Sequence, residues 1–463
     1  MTIWQPDLSA HAGPRYIGIA DALAADVENG RLAPGSRLPT HRDLAYRIGV
    51  TVGTVTRAYA EARRRGLIAG EVGRGTYVLG TAFDDPAQPI ATSPDDTSVV
   101  NLSTNSPASG DQAVKLAETL AVLARRPDLG RLMYYEKNGG LPTHRAAGAK
   151  WIARAGLDVS ADNLVVTNGA QHGLLVALSA VARPGESIAI EEFTYTGMRA
   201  MADFLGLRLV PVAMDEDGVV PEALDAVCRS GPVRAVYTTP TVQNPTNAIL
   251  PVARRQAIAD IAAANNIAII EDDAYGFLDD HGLPPIASFA PEHSYFVTTL
   301  SKSVAPGLRV GYVAGPAGGV ERLIAGARVT TWMATPLMAE IAAMWINDGT
   351  AEHYATWQRR EALARQEVVR DVLGHLDYRS QPASLHVWLR LPDGWRADDV
   401  VVQAAARDVL VIGGNAFAVG RRDDPETIRI TLGTPANRET LRQALVVIAD
   451  ILRQAPHPVL SVV

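Results

Sequence analysis

Residues 298–312 read TTLSKSVAPGLRVGY, and the lysine near their start decides how the rest of the chain is read. Of the 43 basic residues only four are lysines, Lys115, Lys137, Lys150 and Lys302; the other 39 are arginines. A position that needed only positive charge would, on that usage, be arginine. A guanidinium stays protonated and is no nucleophile, whereas a desolvated amine loses its proton and attacks a carbonyl. Lys302, flanked by Ser301 and Ser303 and followed seven residues on by Arg309, is therefore a candidate for carbonyl chemistry. Taken alone, Ser-Lys-Ser before a Pro-Gly turn reads as an ordinary surface lysine, so the neighbouring sequence has to decide.

A lysine that forms an imine needs its carbonyl partner held in place, and the usual partner is pyridoxal 5′-phosphate. Each part of that molecule finds a candidate. LVVTNGAQHGLLVAL predicts a strand, a Gly169-Ala170-Gln171 turn and a helix whose N-terminus suits a phosphate. Tyr195 in EEFTYTG offers an aromatic face for the ring. Asp272, at the end of the strand IAIIEDD, offers a carboxylate for the pyridine nitrogen, with Tyr275 close behind. Asn244 in QNPTN joins Tyr275 as a donor to the phenolic oxygen. Arg309, with Thr299 or Ser301, supplies charge-assisted and hydroxyl bonds to the phosphate. His172, His281 and His386 are read as structural or surface residues, and no metal site is expected.

These pieces lie in a chain of 463 residues, 47% hydrophobic and 20% charged, long enough for several domains. Its lone cysteine, Cys228, excludes an intramolecular disulfide and fits a reducing cytoplasm. The first residues lack the basic and apolar regions of a signal peptide, and no apolar run approaches the ~20 residues of a membrane span. Charge is uneven: residues 1–80 hold ten arginines against seven acids, while the whole chain carries a net −7. Residues 81–98, TAFDDPAQPIATSPDDTS, have three prolines and four aspartates and read as a linker. From residue 99, β-branched runs alternate with Ala-rich helical stretches, the pattern of an α/β fold with a mainly parallel sheet. After about residue 350 a long charged helix and two short strands, LHVWLRL and TIRITLG, indicate a smaller α+β lobe.

In residues 1–80, Ile17, Ile19, Leu23 and Val27 share a helical face. Thr40 can N-cap a short helix that Gly49 ends, and Thr51 can cap the next, which turns Val55, Ala58, Tyr59 and Ala62 inward. Two short helices about a glycine turn form a helix-turn-helix, and GLIAGEVGRGTYV follows as a hairpin wing. The wording GSRLPTHRDLAYRIGVTVGTVTRAY resembles the GntR family of bacterial repressors. That resemblance implies double-stranded promoter DNA as a partner, contacted by Arg42, Thr51, Thr54, Thr56, Arg57, Arg74 and Gly75. After Thr51, where the family often has Arg, this chain has Val52 and Gly53.

The order Gly-Ala-Gln, Tyr, Asn-Pro, Asp…Tyr, Ser-Lys, Arg resembles the fold-type I aminotransferases over roughly residues 99–455. The resemblance makes Lys302 the Schiff-base lysine, Asp272 the pyridinium partner, and Asn244 with Tyr275 the donors to the phenolic oxygen. It makes Tyr135 a phosphate ligand donated across a homodimer and Arg429 the clamp for a substrate carboxylate. A GntR head (residues 1–80), a linker (81–98) and an aminotransferase-like body (99–463) together resemble the MocR-type regulators. The expected function is transcription control in the cytoplasm, the body sensing an amino acid, an amine or the cofactor itself through an aldimine at Lys302. The alternative is a working aminotransferase with a secondary DNA-binding head.

Overall fold

The structure, a computed structural model, describes residues 4–6, 13–28, 31–32, 36–64, 67–71, 75–78, 99–136, 139–279, 282–420 and 426–454. The chain divides into two compact units, Met1–Gln88 and Pro89–Val463. The expected linker, Arg74 and His281 lie outside the described residues.

The first unit holds α1 (Arg15–Glu28), β1 (Arg37–Leu38), α2 (His41–Ile48), α3 (Val52–Arg64), β2 (Ile68–Glu71) and β3 (Gly75–Val78). Thr40 caps α2 by accepting from the Asp43 N–H at 3.2 Å, and Gly49 ends it with a left-handed φ of 65°. Thr51 caps α3 in the same way, accepting from the Thr54 N–H at 3.2 Å. Ile19, Leu23, Leu44, Val55, Ala58, Tyr59 and Ala62 close over a core that Ile68 and Val78 of the hairpin complete. The Tyr59 hydroxyl, which burial would otherwise strand, donates to Pro39 O at 2.9 Å. β1 pairs antiparallel with β3 to make a three-stranded sheet. Two residues are too few to show alternation, so sequence periodicity could not have found it.

The second unit is built on a seven-stranded sheet. Its strands are β4 (Leu164–Thr167), β5 (Ser187–Glu191), β6 (Arg208–Val212), β7 (Ala235–Thr238), β8 (Ala268–Asp273), β9 (Ser294–Thr299) and β10 (Gly311–Ala314). The order is β4-β10-β9-β8-β7-β5-β6, parallel throughout except for β10, which runs against both neighbours. β4, β7, β9 and β10 are buried along their whole length, as strands of a sheet covered on both faces must be. The edge strand β6 escaped sequence reading, because Arg208 and Pro211 break up its apolar run. A smaller antiparallel sheet follows, with strands β11 (Tyr378–Arg379), β12 (His386–Arg390), β13 (Ile412–Gly413) and β14 (Thr427–Thr431) in the order β11-β12-β14-β13. Only β12 and β14 were expected; β11 and β13 are two-residue strands. Helices Thr350–Leu373 and Arg438–Arg453 bury Val369, Leu373, Leu445 and Ile448 against this sheet. No helix among the described residues is long and apolar enough to cross a membrane.

Candidate functional site

Lys302 lies in the turn after β9, and Asp272 lies near the carboxyl end of the neighbouring β8. In an open α/β sheet this is the edge where ligands bind. Asp272 is 6% exposed; its Oδ2 accepts from the Tyr237 hydroxyl at 2.8 Å, while its Oδ1 is buried with no partner. Burial pushes this carboxyl up to about 6, against the pull of Tyr237 and Lys302. The Lys302 amine is lowered to about 8, chiefly by burial and then by Arg429 and Arg309, with Asp272 opposing. Its Nζ donates to the backbone carbonyl of Asn105.

At the other end of the site, β4 runs into Asn168 and Gly169, and Gly169 (φ 83°) starts the helix Ala170–Val181. A Cβ on Gly311 would lie 2.7 Å from Gly169 C and 2.9 Å from Ala170 N, and one on Gly169 would lie 2.9 Å from Arg309 Nη2. Both glycines therefore let β10 and the Arg309 guanidinium close on the helix N-terminus, where backbone N–H groups and the dipole favour an anion. The exposed Gln171 stands on the first turn of that helix. Thr299 Oγ1 donates within reach of Val310 O (2.9 Å) and Ser301 Oγ (3.0 Å), and it accepts from the Ser301 N–H at 3.2 Å. Thr299 is thus turned inward, with the Ser301 hydroxyl as one of its partners.

Arg429, on β14, is 6% exposed and reaches the same space from the small lobe. Its Nη1 donates to Asn244 Oδ1 at 3.0 Å, its Nη2 to Ser103 O, and its Nε is buried without a partner. The guanidinium lies 4.6 Å over the Phe417 ring, and burial lowers its pKa to about 10. Tyr275 sits at the turn after β8, its hydroxyl accepting from Asn105 Nδ2 at 2.9 Å and pushed up by burial. Tyr195 precedes the helix Thr196–Leu205, and its ring crowds Gly197, where a Cβ would lie 2.4 Å away. The structure thus gathers Lys302, Asp272, Asn244, Tyr275 and Arg429 by direct or single-residue links. Tyr135 stands apart, 75% exposed with its ring edge-on to Trp332 at 5.6 Å.

Several residues at this site carried no signal in the sequence. Asn105 bonds both Lys302 and Tyr275, and Tyr237 holds Asp272. His386, expected to be structural, is fully buried beside Asn105 Nδ2 (3.4 Å) and Gln243 O (3.3 Å), and burial with Arg429 lowers it to about 3. It is a neutral support of the site. Glu191, raised to about 7 by burial, gathers Thr238, Thr239 and Gln243 beneath Asp272.

In the first unit, Arg42, Thr51, Thr56 and Arg57 are exposed and Thr54 partly so. The Thr51 and Thr54 hydroxyls bond each other at 2.9 Å, and Thr56 Oγ1 donates back to Val52 O at 3.0 Å. Arg57 and Arg42 are the less constrained of these groups. Gly75 opens β3. Tyr46, 91% exposed on α2, is a further surface group that the sequence reading passed over.

Residues 97–445 match the aminotransferase class I and II family, and residues 15–78 match the GntR family of bacterial regulatory proteins. The protein belongs to the aminotransferase class I and II family. With its GntR head it has the make-up of a transcriptional regulator of MocR type. The HTH-type transcriptional regulator YdeF of Bacillus subtilis (strain 168) is 28% identical over 449 residues, 97% of this chain and 96% of that one. The HTH-type pyridoxine biosynthesis transcriptional regulator PdxR of Corynebacterium glutamicum is 28% identical over 436 residues, 92% of this chain and 93% of that one. Among solved structures, an archaeal alanine:glyoxylate aminotransferase shares the fold with a TM-score of 0.73 at 22% identity, covering 85% of this chain and 99% of that one. The cofactor of this family is pyridoxal 5′-phosphate. The site fits it: an orphaned carboxylate oxygen on Asp272, an acidified lysine, and a glycine-lined helix N-terminus with Arg309 alongside.

Proposed function

We propose that this protein is a cytoplasmic, homodimeric transcription factor whose body senses an amino acid or amine at Lys302 and alters promoter binding by residues 1–80. The reading is carried by one observation: a buried, acidified lysine faces an orphaned carboxylate in a chain whose other unit is a GntR head. When bound, pyridoxal 5′-phosphate supplies an aldehyde carbon and an electron-withdrawing ring. Lys302 offers free amine from about pH 8 upward, well below an ordinary lysine, and Asp272 Oδ1 would hold a proton on the ring nitrogen. Tyr275 and Asn244 would bond the phenolic oxygen, with Tyr195 against the ring. Gly169, Ala170, Gln171, Ser301, Thr299 and Arg309 form the phosphate end. Arg429 orients an effector carboxylate by a bidentate bond.

The bonds around Lys302 support transmission to the small lobe. Lys302 Nζ holds Asn105 O, and β14 holds the same segment through Thr431 Oγ1 to Thr104 O at 3.0 Å. A ligand that engages Lys302 removes the first of these restraints and leaves the second. For the dimer, the support is that Tyr135, like Met133 and Tyr134, is exposed, its ring edge-on to Trp332.

The rival reading, an aminotransferase in daily work, uses the same residues. One experiment separates them: titrate the cofactor-loaded protein with a panel of amino acids and amines, following its visible spectrum and its binding to genomic DNA fragments that it selects. The regulator predicts a reversible spectral change, altered DNA binding and little keto-acid release. Sustained turnover with a 2-oxo acid and no change in DNA binding would favour the enzyme.

A further inference from the structure

The two serines beside Lys302 part company. Ser303, together with Thr299, lines a cavity of about 110 Å³ behind the lysine turn, whereas Ser301, whose N–H donates to Thr299 Oγ1, does not. Alternation along β8 has the same effect: Asp272 faces the site and Asp273 faces this second cavity. Thr298, Thr299, Asp279 and Arg154 complete its polar wall.

Two features of the wall call for a ligand. Ser303 is 1% exposed, and its Oγ has no hydrogen-bond partner. The Asp273 carboxylate likewise has no hydrogen bond within the described residues, although a Cβ on Gly276 would lie 2.1 Å from its Oδ1. Glycine there is what allows the carboxylate to lean back over the chain. Burial, with Glu271 and Asp272 close by, pushes this carboxyl well above the usual range. A carboxyl and a hydroxyl without hydrogen bonds, both facing one small cavity, are each costly, and one ion would satisfy both and hold the carboxyl in its charged form.

We propose that this cavity, walled by Asp273, Asp279, Thr298 and Ser303, binds a monovalent metal cation of the potassium class. The donors are hard oxygens, one of them a carboxylate without a partner, and the space holds an ion with roughly two or three waters. No group of three or more His, Cys, Asp or Glu side chains that could hold a metal occurs among the described residues, which disfavours a divalent or transition metal. Arg255 and Arg154 pull on the Asp273 carboxyl by charge without bonding it, and Arg154 is engaged elsewhere. Its guanidinium donates to Glu352 Oε1 at 3.0 Å and lies 4.3 Å over the Trp151 ring. The site is independent of the proposed sensing role, but an ion there would brace the turn that carries Lys302.

The test uses the full-length protein in tetramethylammonium chloride, replaced stepwise by potassium chloride at constant ionic strength while melting is followed. A saturable rise in melting temperature with potassium is expected. Asp273→Asn should abolish the rise, and Ser303→Ala should weaken it without lowering the potassium-free melting temperature. Thallium soaked into crystals should give an anomalous peak between Asp273 and Ser303, which holds even if Asp273→Asn fails to fold. Equal melting in both salts, an unaltered potassium response in Ser303→Ala, a larger rise with magnesium at the same concentration, or thallium absent from the cavity would each overturn the proposal.

Discussion

Lys302 and Asp272 are displaced from their ordinary pKa values in opposite directions by one cause, removal of each charged form from water. For Lys302 the consequence can be read in stability. Its folded value of about 8 lies below the ordinary 10.5, so below pH 8 folded and unfolded chains both hold the proton. Between the two values the unfolded chain binds more protons, and the cofactor-free protein should therefore grow more stable as pH rises. Urea denaturation at a series of pH values checks this, and Lys302→Met should flatten the rise. In the loaded protein, borohydride should fix the cofactor to the chain at Lys302, and Lys302→Ala should lose that attachment while keeping its circular dichroism; a labelled peptide from elsewhere would contradict the assignment. Asn105 shows why these roles were only partly legible. Its amide meets Tyr275 across 170 residues of chain, and nothing near position 105 marks it.

At the scale of elements, the crowded junction is between β10 and the helix Ala170–Val181. Gly311 leaves no room for a Cβ against Gly169 and Ala170, both of them backbone contacts that cannot rotate aside. Gly311→Ala should therefore cost about 1–3 kcal/mol of stability, as overpacking does, and should also weaken cofactor retention by moving the helix N-terminus. Denaturant titration and dialysis against cofactor-free buffer measure the two effects. A mutant with unchanged retention would mean that the N-terminus holds no phosphate. The same junction explains one limit of sequence reading. VGYVAG is visibly a strand, but only its packing between β4 and β9 makes it antiparallel.

At the scale of the molecule, DNA binding should belong to residues 1–80 and depend on Arg42 and Arg57. Both are exposed, on α2 and α3 respectively. Alanine at either position should weaken binding to selected DNA by about 1–3 kcal/mol, and affinity should fall with salt along a slope set by the number of phosphates the head neutralises, which loss of either arginine should make shallower. Mobility shifts at a series of salt concentrations test this. Binding by the body alone, at the affinity of the whole chain, would refute it.

What sequence alone determined was whatever short-range physics encodes. Caps at Thr40 and Thr51, the glycine stop at Gly49 and the apolar spacing of α3 specify a helix-turn-helix within a few dozen residues. The choice of lysine at 302, in a chain that otherwise prefers arginine, raised the question of carbonyl chemistry, and the order of the motifs around it gave the expectation. Tertiary structure alone decided which atoms are left without partners. Tyr237 takes one oxygen of Asp272 and leaves the other, and Ser303 lines a cavity that Ser301, two residues away, does not. Burial and orphaned bonding depend on chains crossing from far away in sequence, and no local pattern records where those crossings fall.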